Sequence, residues 1–139
     1  MLSNVLTPRG FLTYGGVILL LLGLVGFVTF NTENTTFYLT TGENIAHVGL
    51  GLIALAILFV PGLNTMLAPY YRWIVILLGI VALFFAVYGL MVMANPPLNT
   101  FGLANLEIVD SAIHLVVGAW ALYAAWKPMG AMEPAMAAR

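Results

Sequence analysis

The sequence predicts an all-α fold, a four-span transmembrane bundle built from two tandem helical hairpins as a parallel internal repeat. Three observations predict it. First, 63% of the 139 residues are hydrophobic and only 6% are charged, with a mean hydropathy of +1.06. Soluble domains carry about 25% charged residues, and a chain this short has too little interior to hide so much apolar surface. Second, four apolar runs are long enough to cross a bilayer, which takes roughly 20 helical residues. Third, one nine-residue phrase occurs twice: E-N-I-A-H-V-G-L-G from Glu43 to Gly51, and D-S-A-I-H-L-V-V-G from Asp110 to Gly118.

The spans are expected at Phe11–Phe30, Glu43–Val60, Tyr71–Ala94 and Asn105–Trp126, within a single integral membrane domain over residues 1–139. Barrel strands would be about ten residues long and alternate in polarity; these runs do neither. The first run is too long for a typical signal-peptide core and no A-x-A-like site follows Phe30, so it reads as a retained span. Thr40-Thr41-Gly42-Glu43 reads as a capping box at the start of the second span, with Thr40 as cap. Asn105 is the expected cap of the fourth span, with Glu107 in its first turn. Pro61-Gly62 closes the second span, Asn95-Pro96-Pro97 the third and Pro128 the fourth, leaving Pro61 to Pro69 as a central loop.

The cations Arg9, Arg72, Lys127 and Arg139 all fall at the termini and the central loop, whereas Glu33, Glu43, Glu107 and Asp110 fall on the opposite side. The positive-inside rule then puts both termini in the cytoplasm. With net charge −1 there is no basic surface for nucleic acid, and with no cysteine there is no thiolate chemistry. No G-x-S-x-G, H-E-x-x-H or P-loop pattern is present, and no segment outside the spans is long enough for a soluble catalytic domain. The chain reads as a non-enzyme.

The duplication extends beyond the phrases. Gly23-Leu24-Val25-Gly26 echoes Ala86-Val87-Tyr88-Gly89 at an offset of 63 residues, and His47 precedes His114 by 67. Both halves start and end on one side, so they are expected to be related by a pseudo-two-fold axis along the membrane normal. Spans two and four would then face each other, with the histidines at one depth in the outer part of the bilayer. Gly51 and Gly118 are the expected close-packing positions, as small residues let helices approach in lipid.

Glu43, Asn44, His47, Asp110, Ser111 and His114 are the candidate site residues, and two readings of them stand side by side. In one they are a structural polar clasp: capping carboxylates and an interhelical hydrogen bond through histidine, contributing about 0.6–2 kcal/mol. In the other they hold a ligand, since ionisable residues inside a membrane are otherwise costly. His47 and His114 could be axial ligands of haem b, or bind a pigment; with Glu43 and Asp110 they could hold Zn, Fe or Mn. No ionisable residue continues the line towards the inner surface, so a complete proton or ion pathway is not expected.

The twin pattern [DE]-[NS]-x-x-H-x-x-x-G resembles a family of small four-span bacterial membrane proteins known only as a domain of unknown function. Glu43, Asn44, His47 and Gly51 carry the resemblance in the first copy; Asp110, His114 and Gly118 carry it in the second, where Ser111 replaces Asn. The resemblance spans roughly Phe11 to Trp126, and it implies a bacterial source and a four-span fold but no activity. The expected role is a non-catalytic accessory subunit in the bacterial cytoplasmic membrane. Its expected partners are lipid and the other subunits of a larger complex, with a respiratory or photosynthetic electron-transport assembly suggested by analogy. The Ala-, Met- and Pro-rich tail from Met129 to Arg139 would fray without a neighbour.

Overall fold

A computed structural model of the chain describes residues 2–29, 38–92, 99–100, 104–105 and 108–126. The expectations for Glu33, Glu107 and the tail lie outside these residues. After a short helix α1 (Leu2–Val5), Thr7 starts α2 (Pro8–Thr29). The Thr7 hydroxyl accepts from Gly10 N at 3.0 Å and donates to Asn4 O at 2.8 Å, and Pro8 fills the first helical position, where no N–H is needed. This local cap starts the helix three residues before the apolar run begins.

Helix α3 (Thr41–Phe59) opens on the expected capping box: Glu43 N donates to Thr40 Oγ1 at 3.1 Å, and Thr40 N donates to Glu43 Oε2 at 2.6 Å. Val60 then leaves the helical region and Pro61 begins α4 (Pro61–Leu67), so the expected central loop is helical instead. Proline ends one helix because it cannot donate backward, and for the same reason suits the first turn of the next. Asn64 Nδ2 donates to Leu58 O at 2.6 Å and satisfies one of the open carbonyls ending α3. One 3₁₀ turn, Ala68–Tyr70, leads into α5 (Tyr71–Val92).

Two short extended pairs follow, β1 (Asn99–Thr100) and β2 (Ala104–Asn105), antiparallel with Asn99 opposite Asn105. Asn105 is therefore not the cap of the last helix. Its backbone is committed to this ladder, and α6 (Ile108–Trp126) begins three residues later with Asp110 in its first turn. The two-residue ladder does not alter the class, which is all-α.

Four helices are long and apolar enough to span a bilayer, at 22, 19, 31 and 19 residues, the third being α4 to α5 read as one run. Only 28–33% of each span's apolar core is buried inside the chain. Ile18, Leu21, Val28, Leu77, Met91 and Val116 are among the side chains left facing outward. In water that surface would aggregate; against lipid tails it carries no cost. The chain is a small multi-pass integral membrane protein.

Helix α2 packs along α3 and α5 along α6, forming two antiparallel hairpins. Contact between the hairpins runs mainly through α2, against α5 and α6. The sequence-based pairing of spans two and four is not the main interface: the backbones of α3 and α6 approach each other far less than those within each hairpin, among the described residues. The shared core lies at the end carrying Pro8 and Trp126 and contains Phe11, Leu12, Ile57, Leu58, Tyr71 and Val75. Three contacts fasten that end. Tyr71 Oη donates to Ile57 O at 3.2 Å, Trp120 Nε1 donates to Val5 O at 3.0 Å, and the Phe11 and Trp120 rings meet edge-on at 4.6 Å.

Burial recurs between the hairpins. The buried positions of α3 are 43, 44, 51, 54, 57 and 58; those of α6 are 110, 111, 118, 121, 124 and 125, each 67 residues later. In α2, Pro8, Leu12, Gly16, Gly23 and Gly26 are buried, and in α5 so are Tyr71, Val75, Gly79, Ala86 and Gly89, each 63 residues later.

Candidate functional site

The six candidate residues all lie in the first two turns of α3 and α6, at the end of the bundle opposite the shared core. Helical spacing of three and four puts each carboxylate, its neighbour and its histidine on one side of its helix. Glu43, Asn44, Asp110 and Ser111 are 7%, 1%, 4% and 0% exposed, so four polar side chains are withdrawn from solvent in an otherwise apolar bundle. The two histidines are half-buried.

The carboxylates differ in their local work. Glu43 closes the capping box with Thr40. Asp110 instead serves its own histidine: His114 Nδ1 donates to the Asp110 backbone carbonyl at 3.0 Å and stands 3.1 Å from Oδ2. The N–H is aimed at the carbonyl, so Oδ2 is close enough for an ion pair yet buried without a hydrogen bond. The Phe85 ring of α5 lies 5.7 Å from the His114 ring.

His47 does not copy His114. Its Nδ1 is buried and makes no hydrogen bond. His114 and Asp110 are nevertheless near enough to act on it electrostatically, and Glu43 acts on His114 in the same way. Neither Nδ1 bonds across to the other hairpin among the described residues: that of His114 is bonded within its own helix and that of His47 makes no hydrogen bond. Among the described residues, no three His, Cys, Asp or Glu side chains converge to hold a metal ion.

Asn44 and Ser111 occupy equivalent places and are the residues sequence reasoning weighed least. Asn44 faces α2: a Cβ on Gly26 would overlap its Oδ1, and a Cβ on Gly23 would come within 2.7 Å of its carbonyl. Asn44 Oδ1 and Ser111 Oγ are both buried without a hydrogen-bond partner. The signal that marks Asn44 in the sequence is the pair Gly23 and Gly26, which clears room for a side chain on the facing helix.

Gly51 and Gly118 look into their own hairpins. A Cβ on Gly51 would sit 2.8 Å from Gly16 O and 2.7 Å from Leu20 N; one on Gly118 would sit 3.1 Å from Gly79 O and 2.7 Å from the Leu83 side chain. The room that glycine leaves is filled by α2 and α5, so both positions are close-packing ones within their own hairpins. A groove of about 450 Å³ on α6, lined by Ile108, Val109, Ala112, Ile113, Val116 and Val117, includes none of the cluster residues.

Losing the cap should be felt at the cluster. Thr40→Ala is expected to cost about 1 kcal/mol, read as a lower unfolding midpoint in detergent, with Thr40→Ser close to wild type. Equal losses in the two variants would show that the hydroxyl does not carry the cap.

No protein-family model, curated protein or solved structure matches the chain.

Proposed function

We propose that this protein is a non-catalytic accessory subunit that packs against a larger membrane complex. The observation that carries the reading is the distribution of surface. Each span buries about a third or less of its apolar core within the chain, and the polar side chains of the cluster are turned inward. What remains outside is a nearly continuous apolar wall, suited to lipid or to other membrane helices. The absence of any catalytic motif from the sequence supports the same reading. A respiratory or photosynthetic electron-transport assembly is the proposed host, by analogy with the small subunits such complexes gather. Purification in mild detergent tests this: co-migration with larger membrane subunits is expected, and a chain that always runs alone as a monomer overturns it.

The tandem duplication belongs to the same proposal. It is supported by the recurrence of buried positions at offsets of 67 and 63 residues, and by the matching approaches of Gly16 to Gly51 and of Gly79 to Gly118. Kinship with the small four-span bacterial proteins rests on the twin phrases; a cytoplasmic-membrane location with both termini inside rests on the placement of the cations.

One observation favours a second reading, a b-type cytochrome using His47 and His114. His114 holds its Nδ1–H on the Asp110 backbone carbonyl, which fixes the ring and leaves Nε2 for a metal. An absorption spectrum of the purified protein decides it. A Soret band lost in both His47→Ala and His114→Ala would establish haem, and no band would remove it. Without a ligand, His47→Leu should cost little stability, because its ring nitrogen Nδ1 has no hydrogen bond to lose. A large drop in the unfolding midpoint would point to a bound group.

A further inference from the structure

We propose that Arg9 and Arg72 form two equivalent sites for the headgroups of anionic phospholipids, at the end of the bundle opposite the histidine cluster. The proposal concerns the lipid around the chain and does not rest on the accessory role. It starts from where charge is placed. Among the described residues the cations are Arg9 and Arg72, and the acids are Glu43 and Asp110. The acids are buried, in the first turns of α3 and α6. The arginines are exposed at the other end, each the second residue of its helix, α2 or α5. No acid stands in the first turn of either of these helices, and among the described residues neither guanidinium has an ion-pair partner.

The two arginines are also equivalent. The offset of 63 residues that relates the buried positions of α2 to those of α5 carries Arg9 onto Arg72. In each copy a buried residue, Pro8 or Tyr71, comes immediately before the exposed arginine. Both side chains therefore leave the bundle beside its shared core.

Depth decides what meets them. Each helix has 22 residues and is about 33 Å long at about 1.5 Å per residue, against about 30 Å of hydrocarbon. The second residue lies at the boundary, where an arginine keeps its stem in apolar surroundings and its head among the phosphates. The exposed rings of Tyr70, Trp73, Tyr123 and Trp126 stand at the same end, and such rings settle at headgroup level.

Chemistry then selects the lipid. A guanidinium binds phosphate through two parallel N–H donors. A zwitterionic lipid brings its own ammonium beside that phosphate, whereas an anionic one leaves the charge to the arginine. One basic side chain at an anionic surface favours the charged lipid by about fivefold. A carboxylate of a partner protein is the other group that would pair here. The exposed rings and the recurrence in both hairpins favour a lipid leaflet, which meets every side of the chain at once.

Native mass spectrometry tests this on the full chain, stripped of lipid in detergent and titrated with phosphatidylglycerol or phosphatidylcholine of identical acyl chains. Wild type is expected to bind two phosphatidylglycerols, each about fivefold tighter than phosphatidylcholine. Arg9→Gln and Arg72→Gln should each remove one of the two, and the double variant should bind both lipids alike. Arg9→Lys/Arg72→Lys, which keeps the charge, should retain much of the preference. Equal affinity of wild type for the two lipids overturns the proposal. So does a preference that survives in the glutamine double variant, which would move it to Lys127 or Arg139. A larger polypeptide held by wild type and released by that variant, with lipid binding unchanged, would assign the arginines to a partner's carboxylates and overturn it as well.

Discussion

Gly51→Ala is expected to destabilise the bundle by about 1–3 kcal/mol, the range for overfilling a packed interior, whereas Gly49→Ala two residues away should be neutral or stabilising by up to about 1 kcal/mol through helix propensity. Both glycines sit in the middle of α3, so the intrinsic gain from alanine is the same. What differs is the space. A Cβ on Gly49 meets nothing within 4 Å; one on Gly51 meets Leu20 N at 2.7 Å and Gly16 O at 2.8 Å. These are backbone atoms that cannot rotate away, so α2 as a whole must move back and lose its seam with α3. Gly118→Ala should fall between the two, because its nearest obstacle is the flexible end of Leu83. Unfolding in detergent–denaturant mixtures ranks the three variants. Equal values for Gly49 and Gly51 would mean that α2 and α3 do not meet at Gly51.

The second large effect is a coupling. Gly26→Ala is expected to cost about 1–3 kcal/mol, because its methyl would overlap Asn44 Oδ1. In Asn44→Ala the obstructing amide is gone, so the same glycine change should cost far less. A double-mutant cycle should return an interaction of at least about 1 kcal/mol, as for residues in direct contact. Additive losses would show that the Asn44 side chain does not lie against Gly26. Asn44→Ala alone should be mild, since the buried Oδ1 has no hydrogen-bond partner to lose.

Local features were legible in the sequence, and features that depend on a second segment were less so. The capping box of Thr40 and Glu43 closes within four residues, and its bonds stand where the sequence puts them. Asn105 was legible only as a residue type that favours caps; pairing with Asn99, six residues earlier, claimed its backbone instead. Residues 61–69 carry two prolines and read as a loop, yet proline is equally at home in a first helical turn, and Pro61 opens α4. At the candidate site, the spacing of carboxylate and histidine was visible, but the different behaviour of the two copies was not. Nothing in the phrases distinguishes His114, bonded to its own helix, from His47, whose Nδ1 is left without a bond.

The twin histidine phrases stand in the sequence itself, and the four apolar spans and the all-α class follow from composition and periodicity, because in lipid the polar backbone groups of an apolar segment must be satisfied within it, as a helix does. Which helices pair was decided by tertiary structure. Depth and repetition in the sequence suggested spans two and four facing each other, but α3 lies along α2 and α6 along α5. The physical reason is close approach: Gly16, Gly23 and Gly26 admit Gly51, Val48 and Asn44 of the neighbouring helix at backbone distance, and Gly79 admits Ala121 and Leu122. Those complementary shapes are properties of two surfaces at once, and a single line of sequence does not display which surfaces meet.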